Sequence, residues 1–153
     1  MKQEQTNLIE RARQQAEGYF RRGEYYCSEA VLTTINQLLG EELPAEIVKL
    51  ASGFPVGIGK SKCLCGAISG GVMALGLKYG RTEPGAKMPA NSFPRSAELH
   101  DYIKEEYGST CCRVITAKFE DFASPKRAEH CIGITGEVAA WVMSKFIEDG
   151  VLD

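Results

Sequence analysis

The run from Cys63 to Tyr79 constrains this chain more than any other segment. Ala67, Ile68, Val72, Met73, Ala74, Leu75 and Leu77 leave it apolar on nearly every side, and a helix without a polar face is usually surrounded by others. It also carries Gly66, Gly70, Gly71 and Gly76, each costing about 1 kcal/mol relative to alanine in a helix interior. Something must offset that cost. Gly66 and Gly70 are four apart and share a helix face, where a neighbouring backbone or a bulky cofactor can come close. The most apolar part, Ala67 to Leu77, is well short of the roughly 20 residues that a bilayer span needs.

The segments on either side supply partners for such a helix. Leu8, Ile9, Ala12, Ala16, Tyr19 and Phe20 recur at helical spacing, which predicts a first helix over about 7–22 with Thr6 or Asn7 as its cap and Gly23 as its stop. A second helix opens at Ser28 and Glu29, with Cys27, Val31, Thr34 or Ile35, and Leu38 on one face, and ends at Gly40. Pro44 starts a short third helix over about 44–52. The loop from Gly53 to Lys62, rich in glycine, leads into the apolar run. Gly80 to Asn91 reads as an exposed loop, followed by a helix over about 93–107 that closes at Gly108. Cys111 to Thr116 is left between a helical turn and a strand. Ser124 and Pro125 then start a last helix whose stripe Cys131, Ile134, Val138, Val142 and Lys145 or Phe146 runs toward Gly150. The expected fold is all-α: a single-domain helical bundle over 1–153, with about five to six helices around the buried glycine-rich one.

Charge excludes some functions. Eighteen Lys and Arg against twenty Asp and Glu give a net charge of −2, without the basic excess of a nucleic-acid grip. Polar residues from Met1 to Asn7, with no signal-peptide core behind them, make a cytoplasmic location the default expectation, without membrane contact. Gly59-Lys60-Ser61 suggests a phosphate loop, but Phe54 stands where that motif needs glycine, and no strand precedes it.

The six cysteines carry the chemistry. Their density is too low for a disulfide scaffold, and in a reducing compartment cysteines are more often metal-binding or catalytic. Cys27, Cys65 and Cys131 each sit in or beside the first turns of an expected helix, so three thiols can converge in one core. At Cys65 the free amides of a helix start and the cations Lys60 and Lys62 favour thiolate, which lowers such thiols to about 3.5–7.5; the competing reading is a small buried hydrophobe. Cys63 and Cys65 form C-x-C, and Cys111 and Cys112 are adjacent, so neither the thioredoxin nor the haem-attachment motif is present. Cys27, Cys65, Cys111 or Cys112, and Cys131 would suit an iron–sulfur cluster or a tetrahedral zinc ion. Their spacings of 38, 47 and 19 residues, taken with Cys112, match no local metal knuckle, so tertiary structure must assemble such a site. His130 is a weaker candidate ligand or base, expected with His100 to be structural or to face solvent. Asp101, Glu105 and Glu106 read as a solvated face, Arg13, Arg21 and Arg22 as surface, and Trp141 and Phe146 as core or interface.

Cys65-Gly66-Ala67-Ile68-Ser69-Gly70, with Cys27-Ser28-Glu29-Ala30-Val31-Leu32 before it and Gly71-Val72-Met73-Ala74-Leu75-Gly76-Leu77 after it, resembles the C_GCAxxG_C_C family. The resemblance covers about residues 20–140. It implies four characteristic cysteines: Cys27, Cys65, Cys112 in its setting beside Arg113 (or Cys111 in its place), and Cys131, with Cys63 as an extra. The family name implies redox activity without naming a substrate. A similar domain occurs in split-Soret cytochromes, where it is associated with iron–sulfur binding; their C-x-x-C-H haem sites are missing from this chain. The expected function is redox chemistry at a buried site of these four cysteines, through thiol–disulfide exchange or an iron–sulfur cluster, with Gly66 and Gly70 making room and an unidentified redox partner. The alternatives are a non-catalytic Cys₄ zinc module for structure, storage or sensing, and a helical interaction domain that holds no cofactor and has cysteines only in its core.

Overall fold

The structure is a computed structural model and describes residues 2–152. Its helices are α1 (Gln3–Arg21), α2 (Cys27–Leu38), a 3₁₀ helix (Ala45–Ala51), α3 (Gly66–Tyr79), α4 (Ser92–Tyr107), the single turn α5 (Cys112–Ile115) and α6 (Pro125–Glu148). The fold is all-α. Among the described residues there is no strand, only an isolated antiparallel bridge between Leu64 and Cys111. No helix among them is long and apolar enough to cross a membrane.

Local chemistry sets most helix ends. The Ser124 hydroxyl accepts the Arg127 amide at 3.1 Å and Pro125 follows at the first helical position, so α6 starts where its sequence directs. Gly108, at φ 78°, ends α4 in the left-handed region that glycine tolerates. Two features differ from expectation. α1 begins at Gln3, ahead of Thr6 and Asn7, because Lys2 takes the cap position and the Gln5 side chain accepts its amide at 3.0 Å. The third helix is 3₁₀, the tighter winding common in short connecting pieces. Cys111 to Thr116 combines both of the alternatives left open: Cys111 is extended in the bridge, and one helical turn follows.

α6 packs against α1, α2, α3 and α4, while α3 lies among α2, α4 and α6. The glycines of α3 are what let those neighbours in. A Cβ on Gly70 would lie 2.5 Å from the Ser28 carbonyl oxygen and 2.8 Å from its Cα. One on Gly71 would lie 2.6 Å from Leu99 and 2.7 Å from Val138. Close helix contact on two sides therefore offsets the propensity cost, around a core of Ile35, Leu75, Leu99, Ile103, Val138, Met143 and Phe146. The apolar surface of α3 is not covered all round, since Val72 and Gly76 are exposed. Buried Ser28 ties α2 to the 3₁₀ helix through a 2.8 Å hydrogen bond to the Ala51 carbonyl. At the far end, the Tyr79 hydroxyl and the Arg95 guanidinium both donate to Asp149, joining α3 and α4 to the close of α6.

Gly70 and Gly76 make an internal comparison, because no heavy atom lies within 4 Å of a Cβ built on Gly76. Gly70→Ala is expected to destabilise by about 1–3 kcal/mol through overpacking, and Gly76→Ala to stabilise by about 1 kcal/mol through helix propensity. Urea denaturation of the two variants checks the opposite signs.

Candidate functional site

Four elements each deliver one cysteine to a single cavity of about 380 Å³. Cys27 comes from the first position of α2, Cys65 from the cap of α3, Cys112 from the start of α5 and Cys131 from the second turn of α6. A short antiparallel contact joins two of these segments. The Cys65 amide donates to the Thr110 carbonyl at 2.8 Å, the Arg113 amide to the Lys62 carbonyl at 3.0 Å, and the Cys112 amide to the Cys63 carbonyl. Side chains alternate across such a pairing, so Leu64 and Cys111 share one face while Cys65 and Cys112 fall on the other. Cys112 accordingly lines the cavity, whereas the Cys111 thiol donates to the Lys62 carbonyl at 3.3 Å. Cys63 is exposed and outside the cavity wall.

The glycines of the motif divide in role. A Cβ on Gly66 would overlap the Cys27 sulfur and come within 3.3 Å of the Phe54 carbonyl oxygen, so glycine here admits Cys27 to the site. Gly66 lines the cavity; Gly70 does not, because the Ser28 backbone occupies the space beside it. The room that Gly70 makes is taken by α2, the neighbouring backbone that is one of the two alternatives for it.

Burial governs the thiols. It pushes Cys27 far up, with the neighbouring Cys65 and Cys131 adding to the shift against the amides of Ser28 and Val56. It pushes Cys65 up to about 11, although the Ala67 and Ile68 amides in the first turn favour the thiolate. The expected low-pKa thiolate at Cys65 is thus corrected: the helix-start amides are present, and desolvation outweighs them. Lys62, with Arg127, acts instead on Cys112, opposing a rise caused by burial and by Cys131 and Cys111. Burial also raises Cys131, against a hydrogen bond and charge from Arg127. The mutual effects of Cys27, Cys65, Cys112 and Cys131 express their proximity.

The rest of the wall includes Phe20, Tyr26, Phe122, Lys60, Lys62 and Arg127, and no Asp, Glu or His. His130, weighed as a ligand, packs instead between the rings of Tyr107 and Phe119, at 5.5 and 5.3 Å. His100 is exposed beside Asp101. Of the wall residues, sequence reasoning had Lys60 and Lys62 as helpers of Cys65 but missed Phe122, Arg127 and the form of the loop before Cys63. Arg127 stands four residues before Cys131 in a helix marked by Ser124-Pro125, a spacing that puts both on one face. The loop had no such signal. Val56, Gly57, Ile58, Gly59 and Lys60 run consecutively at φ between 56° and 68°, a left-handed turn that β-branched residues rarely enter.

As a ligand set, four thiols around one cavity suit a soft metal centre. No group of three or more His, Cys, Asp or Glu among the described residues is gathered closely enough to hold a single metal ion. The donor chemistry of the four thiols is that of a soft-metal site.

A pH prediction follows for the reduced, metal-free protein. Cys65 ionises in the unfolded chain near its ordinary value of about 9.0 and in the folded chain near 11. Between those values the unfolded state binds fewer protons, so stability falls as pH rises. The urea midpoint is expected to drop from pH 9 to pH 11, and less steeply in Cys65→Ala. An equal pH slope in both proteins would remove Cys65 as a source.

Residues 25–145 match the model of a family described as "Putative redox-active protein (C_GCAxxG_C_C)". That stretch contains all four cysteines of the cavity. Comparison with curated proteins gave no match, and comparison with solved structures gave none. With the family pattern extending from just before α2 nearly to the end of α6, the chain belongs to the C_GCAxxG_C_C family.

Proposed function

We propose that this protein is an electron-transfer protein in which Cys27, Cys65, Cys112 and Cys131 are the ligands of one iron–sulfur cluster. The observation that carries the reading is that four cysteines from four separate elements line one cavity and are all held toward the protonated state by burial. Thiol–disulfide exchange needs a thiolate as attacking group, which this environment disfavours. Metal coordination deprotonates a thiol outright and cancels the repulsion among neighbouring thiolates. Zinc is the second metal reading, with sulfur at about 2.3 Å from one ion, and the iron and zinc content of the protein decides between the two. The cluster would supply one-electron chemistry, while the chain's own part is to hold the sulfurs, exclude bulk water and set the surrounding charge. Lys60, Lys62 and Arg127, with no acid on the wall, offset the negative charge of such a ligand set. A cytoplasmic location agrees with this reading, since thiols stay reduced there.

The test is anaerobic purification and reconstitution with iron and sulfide, followed by an ultraviolet–visible spectrum and iron, sulfide and zinc analysis on one sample. Broad visible absorption that bleaches on reduction, with iron and sulfide bound, is the expected outcome. Cys65→Ser is expected to lose most of the bound iron, and Cys63→Ser to keep it. Colourless protein that carries zinc would overturn the cluster in favour of a structural or sensing site. Colourless, metal-free protein that cycles between thiols and a disulfide would return the function to dithiol exchange.

A further inference from the structure

The cations on the cavity wall are arranged more specifically than charge balance requires. The Arg127 guanidinium carbon lies 4.1 Å from the centre of the Phe122 ring, and the Lys62 ammonium 4.5 Å from the same ring. Arg127 is further fixed by a 2.5 Å hydrogen bond from its Nε to the Phe122 carbonyl. One aromatic ring thus holds two like charges together, both half-buried, with exposed Lys60 on the same wall. Among the described residues none of the three is in an ion pair. Glu120 and Asp121, the acids next to Phe122 in the chain, are exposed and take no part in the wall. The cavity is concave, apolar through Phe20, Tyr26, Pro55 and Phe122, and polar at one cationic group of side chains. That is the usual make-up of a small-molecule site.

We infer that the cavity binds a small anion between Lys62, Arg127 and Lys60, against Phe122, and that this anion is the redox partner of the cysteine centre. The inference rests on the proposed electron-transfer function. The centre, when loaded and reduced, would supply one electron to the bound anion and lower its oxidation state by one, with no bond to sulfur formed or broken and no proton moved, while Lys62, Arg127 and Lys60 hold the anion in place. The clustered positive charge raises the local concentration of anions and repels cations.

The experiment uses the loaded protein, reduced with dithionite and freed of excess reductant, and follows its oxidation by stopped flow with two probes of opposite charge. Ferricyanide is the anion, becoming ferrocyanide, and hexaammineruthenium(III) the cation. The expected result is a rate that saturates with ferricyanide, competitive inhibition by the non-reducible anion sulfate, and a linear, slower dependence on the ruthenium complex. Lys62→Met is expected to raise the half-saturating ferricyanide concentration about tenfold and to weaken sulfate binding, read by calorimetry with no oxidant present, by a similar factor. Arg127→Met is expected to do the same. Because Arg127 also braces the Phe122 backbone, circular dichroism and iron content are read on both variants, and Lys62→Met decides the matter where Arg127→Met does not fold. Oxidation by both probes at rates that never saturate, with no effect of sulfate or of Lys62→Met, would overturn the anion site and leave the electron-transfer function standing. A protein that accepts no electrons from dithionite would overturn both.

Discussion

The contact between Gly66 and the Cys27 sulfur is the interaction on which the site depends. It requires the start of α2 to lie directly against the start of α3, and that approach is possible only because Gly66 and Gly70 carry no side chain there. With α2 so placed, Ser28 is buried and bonds to the Ala51 carbonyl, which fixes the 3₁₀ helix and the loop leaving it. The same loop brings the Val56 amide to Cys27 and leads into the extended residues that hold Cys65 beside Cys112. Packing, loop path and thiol positions are therefore one constraint seen at three levels. The glycines weaken α3 as an isolated helix and are retained by what they allow to approach.

Helix positions were legible because their signals are local. Ser124-Pro125, Gly108 and the stripe of Ile134, Val138 and Val142 act within a turn or two, and all three valine and isoleucine side chains are buried as the spacing demands. The share of Cys65 in the site was legible only by halves. Its helix-start amides could be read from the sequence, but its burial comes from elements far away in the chain, so the direction of its pKa could not. The same distinction separates Cys111 from Cys112. Adjacent residues are chemically identical as sequence, and only the pairing of Leu64 with Cys111 decides which sulfur meets the cavity.

Burial also changes what the thiols are suited to do. A nucleophilic cysteine works through its thiolate and sits in a partly exposed, electropositive setting. Here the cations act on Cys112 and Cys131, while Cys27 and Cys65 have amides but no lysine or arginine among their main influences. Under the proposed function a metal's positive charge would reverse both effects, the cost of burying the thiolates and their repulsion of one another.

The left-handed turn at Val56 to Lys60 is the most expensive local feature, at about 1–2 kcal/mol for each residue other than glycine, and such strain persists only where the surroundings over-determine it. The surroundings do so here. The Ile58 amide donates to the Phe54 carbonyl at 2.9 Å, the Lys62 amide to Val56 at 2.9 Å and the Cys63 amide to Gly57 at 3.0 Å, while a Cβ on Gly57 would overlap the backbone of Lys62 and Cys63. What the strained path adds is position: an amide at Cys27, and Lys60 and Lys62 on the cavity wall. Strain spent on placing one hydrogen-bond donor and two cations around four cysteines has its return in the electrostatics of the cavity, not in the stability of the fold.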